Sequence, residues 1–97
     1  MSDFVNPNVL GPPPDRLTNT QIEAWNDIVK YTPKGVLIRA DRIHVECTAG
    51  LLALVRVDLE NIDAAMLGIL HKYLEQMFMT PTDRAKLGIP ESNVHFI

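Results

Sequence analysis

The residues with the clearest capacity for chemistry are His44 and Cys47, which lie three positions apart and so share one edge of a helix. An imidazole and a thiolate at this spacing supply two ligands of a zinc site. A closed site needs four ligands, however, and the sequence offers no second pair at a compatible spacing, while His71 comes from a different segment. A metal site is therefore the weaker interpretation. The stronger one is a buried, unreactive Cys47 on the apolar face of its helix.

Glu23 and Asp27 are four residues apart and face the same way on a predicted helix. Paired carboxylates act as acid and base where burial or mutual repulsion changes their proton affinity, and on an outer helix face we expect both to be solvated instead. The sequence has neither a phosphate-binding glycine loop nor a Gly-x-Ser-x-Gly elbow. We therefore expect a protein that is not an enzyme and that holds no metal or cofactor.

Basic residues are concentrated between the first two predicted helices. The segment has a local net charge of +3, from Asp41 and four cations: Lys30, Lys34, Arg39 and Arg42. Residues 58–79, with four acids and one lysine, have a local net charge of −3. Because each Lys or Arg that neutralises a phosphate releases counterions, the four cations are candidate contacts with double-stranded DNA. Charge matching between copies of the chain and an ordinary solvated surface are the alternatives.

The composition is that of one ordinary globular domain: 97 residues, of which 46% are hydrophobic and 22% are charged. The formal net charge of −3 excludes binding to nucleic acid through overall charge, so a binder would have to concentrate its cations on one patch. The one cysteine excludes an internal disulfide and fits a reduced compartment. No apolar run approaches the roughly 18 residues of a membrane span, and residues 1–4 lack the pattern of a secretion signal. We expect a soluble, cytoplasmic protein.

Two helices have clear start signals. Thr18, with Gln21 three residues later, forms a capping box for a helix that we expect to end near Tyr31, because a proline follows two residues on. The segment Thr80-Pro81-Thr82-Asp83 predicts a short last helix that closes at Gly88.

The middle of the chain predicts a helical hairpin. Residues 36–38 are an apolar run that we interpret as a connector packing inward. A second helix is predicted from about Ala40 to Arg56, and a third from Leu59, capped by Asp58, to about Phe78. Two helices joined by so few residues fold back as an antiparallel hairpin. One continuous helix through Val57 is the alternative.

The predicted fold class is all-α: a small helical domain built on this antiparallel hairpin, with short flanking helices and an extended proline-rich N-terminal arm. The arm covers residues 1–16, which hold four of the seven prolines. The helical domain covers residues 17–89 and a C-terminal tail covers residues 90–97. A loosely held arm is one interpretation, and an arm docked on a neighbouring subunit is the other.

Both central helices carry more apolar residues than one core face needs. The predicted core stripe of the second helix consists of Ala40, Ile43, Cys47, Gly50, Leu51, Leu54 and Val55. That of the third consists of Leu59, Ile62, Met66, Ile69, Leu70, Tyr73 and Met77. Because a chain of this size has few internal partners for such faces, we expect copies to associate, with a compact monomer as the alternative. The predicted contact residues are Leu51, Leu54, Val55, Ile62, Met66, Ile69, Tyr73 and Met77.

Four short motifs follow one another in a recognisable order. Pro14-Asp15-Arg16-Leu17 precedes a helix that carries Trp25. Gly35-Val36-Leu37 and Ala40-Asp41-Arg42 come next, and the segment from Thr80 to Leu87 follows a long helix. This order and wording resemble the small terminase subunits of tailed phages and prophages, over about residues 13–87.

The resemblance implies a non-enzymatic component of viral DNA packaging in the cytoplasm of a bacterial host. Such subunits form oligomeric rings, recognise the packaging site in double-stranded DNA and modulate the ATPase and nuclease of the large terminase subunit. The implied partners are therefore other copies, the large subunit and DNA, with no membrane. An assembly module of the particle that never contacts DNA is the alternative. The residues that match the family pattern are implied to pack and cap: Trp25, Asp41, Thr80, Pro81, Arg84 and Leu87.

Overall fold

The computed structural model describes residues 8–89, which form four α-helices. These are α1 (Asn19–Tyr31), α2 (Arg42–Val57), α3 (Ala64–Gln76) and α4 (Pro81–Lys86), and this part of the chain contains no strand. The predicted all-α fold class is confirmed. Residues 1–7 of the predicted arm and the predicted tail, residues 90–97, lie outside the described residues.

Helix α1 begins and ends where its sequence signals predict. The Oγ1 atom of Thr18 accepts a hydrogen bond from the backbone N–H of Gln21, whose side chain accepts one from the N–H of Thr18 at 2.9 Å. At the other end, the backbone of Thr32 is already extended, and its N–H makes the last bond to the carbonyl of Ile28. Ile28 and Trp25 are completely or almost completely buried, which ties α1 to the core.

The third helix starts later than predicted. Residues 59–61 form a 3₁₀ turn, and Asp63, not Asp58, caps α3 by accepting a hydrogen bond from the N–H of Met66 at 2.8 Å. Both aspartates are good N-cap residues, so residue type alone does not separate them. The start of α3 is placed after Ile62, because Ile62 has an extended backbone and packs against the core, which leaves Asp63 as the cap. Six residues thus separate α2 from α3, and the alternative of one continuous helix is wrong.

Helix α3 also ends earlier than predicted, at Gln76, on a left-handed turn. Phe78 has a φ of 61°, and the N–H groups of Phe78 and Met79 donate to the carbonyls of Glu75 and Leu74. This is a Schellman motif, in which glycine is the usual left-handed residue because it has no side chain to clash with the backbone. A phenylalanine at that position gives no stop signal, and this is why the predicted helix runs too far.

Helix α2 lies at the centre of the fold and packs against α1, and less extensively against α3. The ring of His44, near the start of α2, meets the ring of Tyr73, near the end of α3, edge-on at a centroid distance of 5.0 Å. The two helices are therefore antiparallel, as the predicted hairpin requires. The core consists of Leu10, Ala24, Trp25, Ile28, Val45, Ala49, Leu52, Ala53, Val55, Leu70, Leu74, Met77, Met79, Leu87 and Ile89.

The predicted core stripe of α2 is wrong for most of its residues. Ile43 is 75% exposed, Leu54 is 43% exposed and Cys47 is exposed, while Ala40 lies in a 3₁₀ turn before the helix. The residues of α2 that are buried are Val45, Thr48, Ala49, Leu52, Ala53 and Val55. The helix is apolar around most of its circumference, and periodicity identifies the inward face only when the other faces are polar.

Two arginines attach α4 to the rest of the domain. Arg84 is only 9% exposed and donates a hydrogen bond to a backbone carbonyl of the preceding turn at 2.9 Å. Arg56 of α2 donates to the carbonyl of Leu87 at 2.8 Å and pairs with Asp27 of α1 at 3.0 Å. Thr80 caps α4 as predicted, by accepting a hydrogen bond from the third residue of the helix.

Candidate functional site

The segment before α1 is held against its own chain by Arg42. Leu10 is 7% exposed and belongs to the core. One guanidinium nitrogen of Arg42 donates to the carbonyls of Leu10 at 2.9 Å and Pro12 at 2.7 Å. The guanidinium carbon lies 5.3 Å from the centroid of the Trp25 ring, a cation–π distance. Residues 10–12 of the arm are therefore held against the core of this chain, so the loosely held interpretation is wrong for them, and docking of the arm on a neighbouring subunit stays a prediction.

The four cations predicted to bind DNA border this segment. Arg39 and Arg42 flank Gly11 so closely that a Cβ atom on the glycine would lie 3.2 Å and 3.3 Å from their guanidinium nitrogens. Gly11 also lines a groove of about 730 Å³ together with Lys30 and Lys34. We refer to these cations as the basic surface: Lys30, Lys34, Arg39 and Arg42.

The four cations differ in how freely they can meet a phosphate. Within residues 8–89, none of them has a carboxylate within 4 Å, so each keeps its charge uncompensated at short range. Arg42 is committed to the arm, and the Nε atom of Arg39 is buried with no hydrogen-bond partner. Lys30 and Lys34 are exposed. The two lysines are therefore the most available members of the basic surface.

Arg16, which is not among the predicted site residues, lines a depression with Arg39 and Arg42. Arg16 forms a two-bond ion pair with Glu46 of α2, at 2.6 Å and 2.9 Å, which neutralises its charge. The partner lies thirty residues away in sequence, so no local signal identifies it.

The residues considered for catalysis or metal binding do not converge in the described part of the chain. His44 packs on Tyr73, and its Nε2 atom is buried without a hydrogen-bond partner. Cys47 is exposed, so its predicted burial is wrong. Asp27 pairs with Arg56 rather than acting with the other carboxylate of α1. Residues 8–89 contain no group of three or more His, Cys, Asp or Glu residues that could hold a metal ion.

An apolar stripe runs along the outer side of α2. Its members follow one another at alternating steps of four and three residues, the spacing of a coiled-coil seam. Ile43, Leu54 and Val57 are 75%, 43% and 71% exposed. We refer to the five residues together as the α2 stripe: Ile43, Cys47, Gly50, Leu54 and Val57.

The residues predicted to mediate self-association divide into three groups. Val55 and Met77 are 2% and 1% exposed, and as contact residues they are wrong because the chain's own core encloses them. Leu54 and Ile69 are exposed. The half-buried group consists of Leu51, Ile62, Met66 and Tyr73. Val57 was missed, although its spacing from Leu54 continues the stripe.

Comparison of the chain with protein-family models, with curated proteins and with solved structures finds no match. None of the helices within residues 8–89 is long and apolar enough to cross a membrane. The motifs of the sequence, the basic surface and the α2 stripe are therefore the observations that bear on function.

One further residue, Phe78, stands out by its backbone. It is 71% exposed although it occupies the left-handed position that ends α3. A bulky residue there costs conformational energy, and no burial of the ring offsets that cost. Phe78 thus adds a large apolar side chain to the surface between α3 and α4.

Proposed function

We propose that the chain is a non-enzymatic component of phage or prophage DNA packaging, similar to small terminase subunits, that assembles with copies of itself. The observation that carries this proposal is the ordered set of motifs from Pro14 to Leu87. Under the proposal, the chain works in the cytoplasm of a bacterial host. Its protein partner is the large terminase subunit, and its nucleic-acid ligand is double-stranded DNA.

The residues that match the family pattern have the structural roles that the resemblance implies, which supports the proposal. Trp25 and Leu87 are each 1% exposed, and Arg84 is buried. Thr80 caps α4, and Asp41 accepts a hydrogen bond from the backbone N–H that precedes the first 3₁₀ turn, at 2.9 Å. These residues stabilise the fold, and we therefore assign ligand contact to other side chains.

The basic surface supports the DNA-binding half of the proposal. The chain is acidic overall, so duplex DNA can be attracted only where cations without acidic neighbours are grouped. Lys30 and Lys34 line one groove, and Arg39 and Arg42 flank the glycine at its edge. Such grouping suits contact with phosphates, which carries no sequence information of its own.

Titration of a labelled DNA duplex at several salt concentrations tests this half. We expect the double variant Lys30→Ala/Lys34→Ala to bind more weakly and to lose about 1.8 from the slope of log K against log salt, at about 0.9 per phosphate contact. The matched control is Lys72→Ala/Lys86→Ala, which removes two exposed lysines from α3 and α4 and should leave the slope unchanged. Equal slopes for both double variants would remove the basic surface as the DNA site.

A second candidate function, a protein-binding module with no DNA contact, is favoured by the contacts of Arg42 and Arg16. Arg42 donates its hydrogen bonds to backbone carbonyls of this chain, and Arg16 forms an ion pair with the carboxylate of Glu46. The exposed α2 stripe meanwhile offers apolar area for a protein. Calorimetry with the purified large subunit, alongside the DNA titration, separates the two functions. Binding to the large subunit without binding to DNA at low salt supports the second function and contradicts the first.

A further inference from the structure

The α2 stripe is laid out almost symmetrically about Gly50. Ile43 lies seven residues before it and Val57 seven residues after it, while Cys47 and Leu54 lie three before and four after. Gly50 has nothing within 4 Å of the position that a Cβ atom would take, so its side of the helix is open. A helix that meets a copy of itself antiparallel, with the two Gly50 residues at the crossing, pairs large residues at both ends and has no side chain at the centre.

Charge selects the antiparallel arrangement over the parallel one. The start of α2 follows the basic segment that contains Arg39, and its end leads into the acidic connection with Asp58, Glu60 and Asp63. Within residues 8–89, these three acids take part in no ion pair. Antiparallel copies bring the basic end of one helix to the acidic end of the other, whereas parallel copies place like charges together.

The two ends of the stripe also complement each other in shape. Beside Ile43 and Cys47, a shallow groove of about 520 Å³ opens between α2 and the start of α1. At the other end, Val57 and Leu59 are 71% and 49% exposed. In an antiparallel pair, the apolar side chains at the end of one α2 come next to the groove at the start of the other.

We infer that the α2 stripe is the contact between two copies of this chain, packed antiparallel about a two-fold axis at Gly50. This inference rests on the assembly half of the proposed function and does not depend on DNA binding. A two-fold contact closes at two copies, so it defines a pair, and a ring would join such pairs through a further contact. The stripe spans 14 residue steps, or about 21 Å. A contact of this length buries less surface than the roughly 800 Å² per partner that is typical of a stable complex. We therefore expect a dissociation constant in the micromolar range.

Disulfide crosslinking of a mixture tests the geometry. One component is the natural chain with Cys47, and the other is Cys47→Ser/Leu54→Cys carrying a mass tag. In the antiparallel pair, Cys47 faces position 54 of the other copy. The Cys47 residues of the two copies are about 13 Å apart, because they are displaced by about 9 Å along the helix axis and the two axes are about 8–10 Å apart. This distance is too long for a disulfide.

We therefore expect the mixed pair to crosslink at least five times faster than either component with itself. Cys47→Ser/Ala85→Cys, with its cysteine on the exposed side of α4, gives the rate of random collision. Crosslinking of each component mainly with itself would overturn the antiparallel arrangement. Collision-level rates in every combination, at a concentration of several hundred micromolar, would overturn the contact itself.

A charge at the centre of the stripe provides the second test. Gly50→Glu places two like charges at the two-fold axis, and within its own chain it meets open space and a better helix propensity than glycine. The matched control is Gly68→Glu on α3, another half-buried helical glycine with open space around it. Circular dichroism checks that both variants are folded. We expect Gly50→Glu to weaken self-association at least tenfold and Gly68→Glu to leave it unchanged, and equal losses in both variants would contradict the assignment.

Discussion

Arg42 joins the N-terminal segment to the core, and its replacement is the most informative test of the fold around the basic surface. Its guanidinium makes two hydrogen bonds to carbonyls of the arm and lies against the Trp25 ring. Arg42→Ala removes all three contacts. Arg42→Lys keeps the charge but loses the planar group that reaches both carbonyls and the ring together.

The magnitude follows from these contacts. A hydrogen bond contributes about 1 kcal/mol net, and we apply that value to each of the two because both sites are at least partly open to solvent. The cation–π contact adds about 0.5–1 kcal/mol. Arg42→Ala should therefore lower the free energy of unfolding by about 2.5–3 kcal/mol, and Arg42→Lys by about half as much. For a domain of this size, about 2.5–3 kcal/mol is a large share of the total stability.

Urea unfolding measures both variants, with circular dichroism for the helices and the fluorescence of Trp25, the chain's one tryptophan, for the contact with Arg42. Lys34→Ala is the control, because Lys34 is exposed and makes no contact with the arm's carbonyls. Unfolding free energies of Arg42→Ala and Lys34→Ala that agree within about 0.5 kcal/mol would refute the assigned role of Arg42. A loss of DNA binding in Arg42→Ala could then be read as a direct effect on the ligand.

Three further substitutions test particular features of the fold by thermal or urea unfolding. Asp63→Ala should cost about 1 kcal/mol because it removes the cap of α3, and Asp58→Ala should cost less; the reverse order would contradict the assigned start of α3. Phe78→Gly should raise stability by about 0.5–1 kcal/mol because glycine takes the left-handed backbone without strain, and a clear destabilisation would contradict the assigned turn. Leu52→Ala, at a fully buried site, should cost about 3 kcal/mol, and a cost below 1 kcal/mol would argue against the packing of α2.

The sequence predicts those elements whose signals are local. Thr18 and Thr80 each cap a helix through an atom three residues away, so their signals are complete within one turn. The choice between Asp58 and Asp63 was not local, since it depended on how Ile62 packs against the core. The end of α3 was missed because the turn uses a phenylalanine where glycine is the usual residue.

The candidate surfaces were predictable to a smaller extent. The basic residues could be grouped from the sequence, but the hydrogen bonds of Arg42 reach carbonyls 30 and 32 positions away, and no spacing rule foresees them. The apolar pattern of α2 is visible in the sequence, but it places four residues of the α2 stripe on the predicted core face: Ile43, Cys47, Gly50 and Leu54. Small residues such as Ala49 let α1 and α3 occupy other sides of α2, and only the three-dimensional arrangement shows which side remains open.

The central claim is that one copy leaves apolar surface exposed that other copies cover. Sedimentation equilibrium of the full chain, from about ten to several hundred micromolar, tests it most directly. We predict that the mean mass rises with concentration from the 10.9 kDa of one chain towards twice that value. A mass that stays at 10.9 kDa over the whole range would contradict the claim.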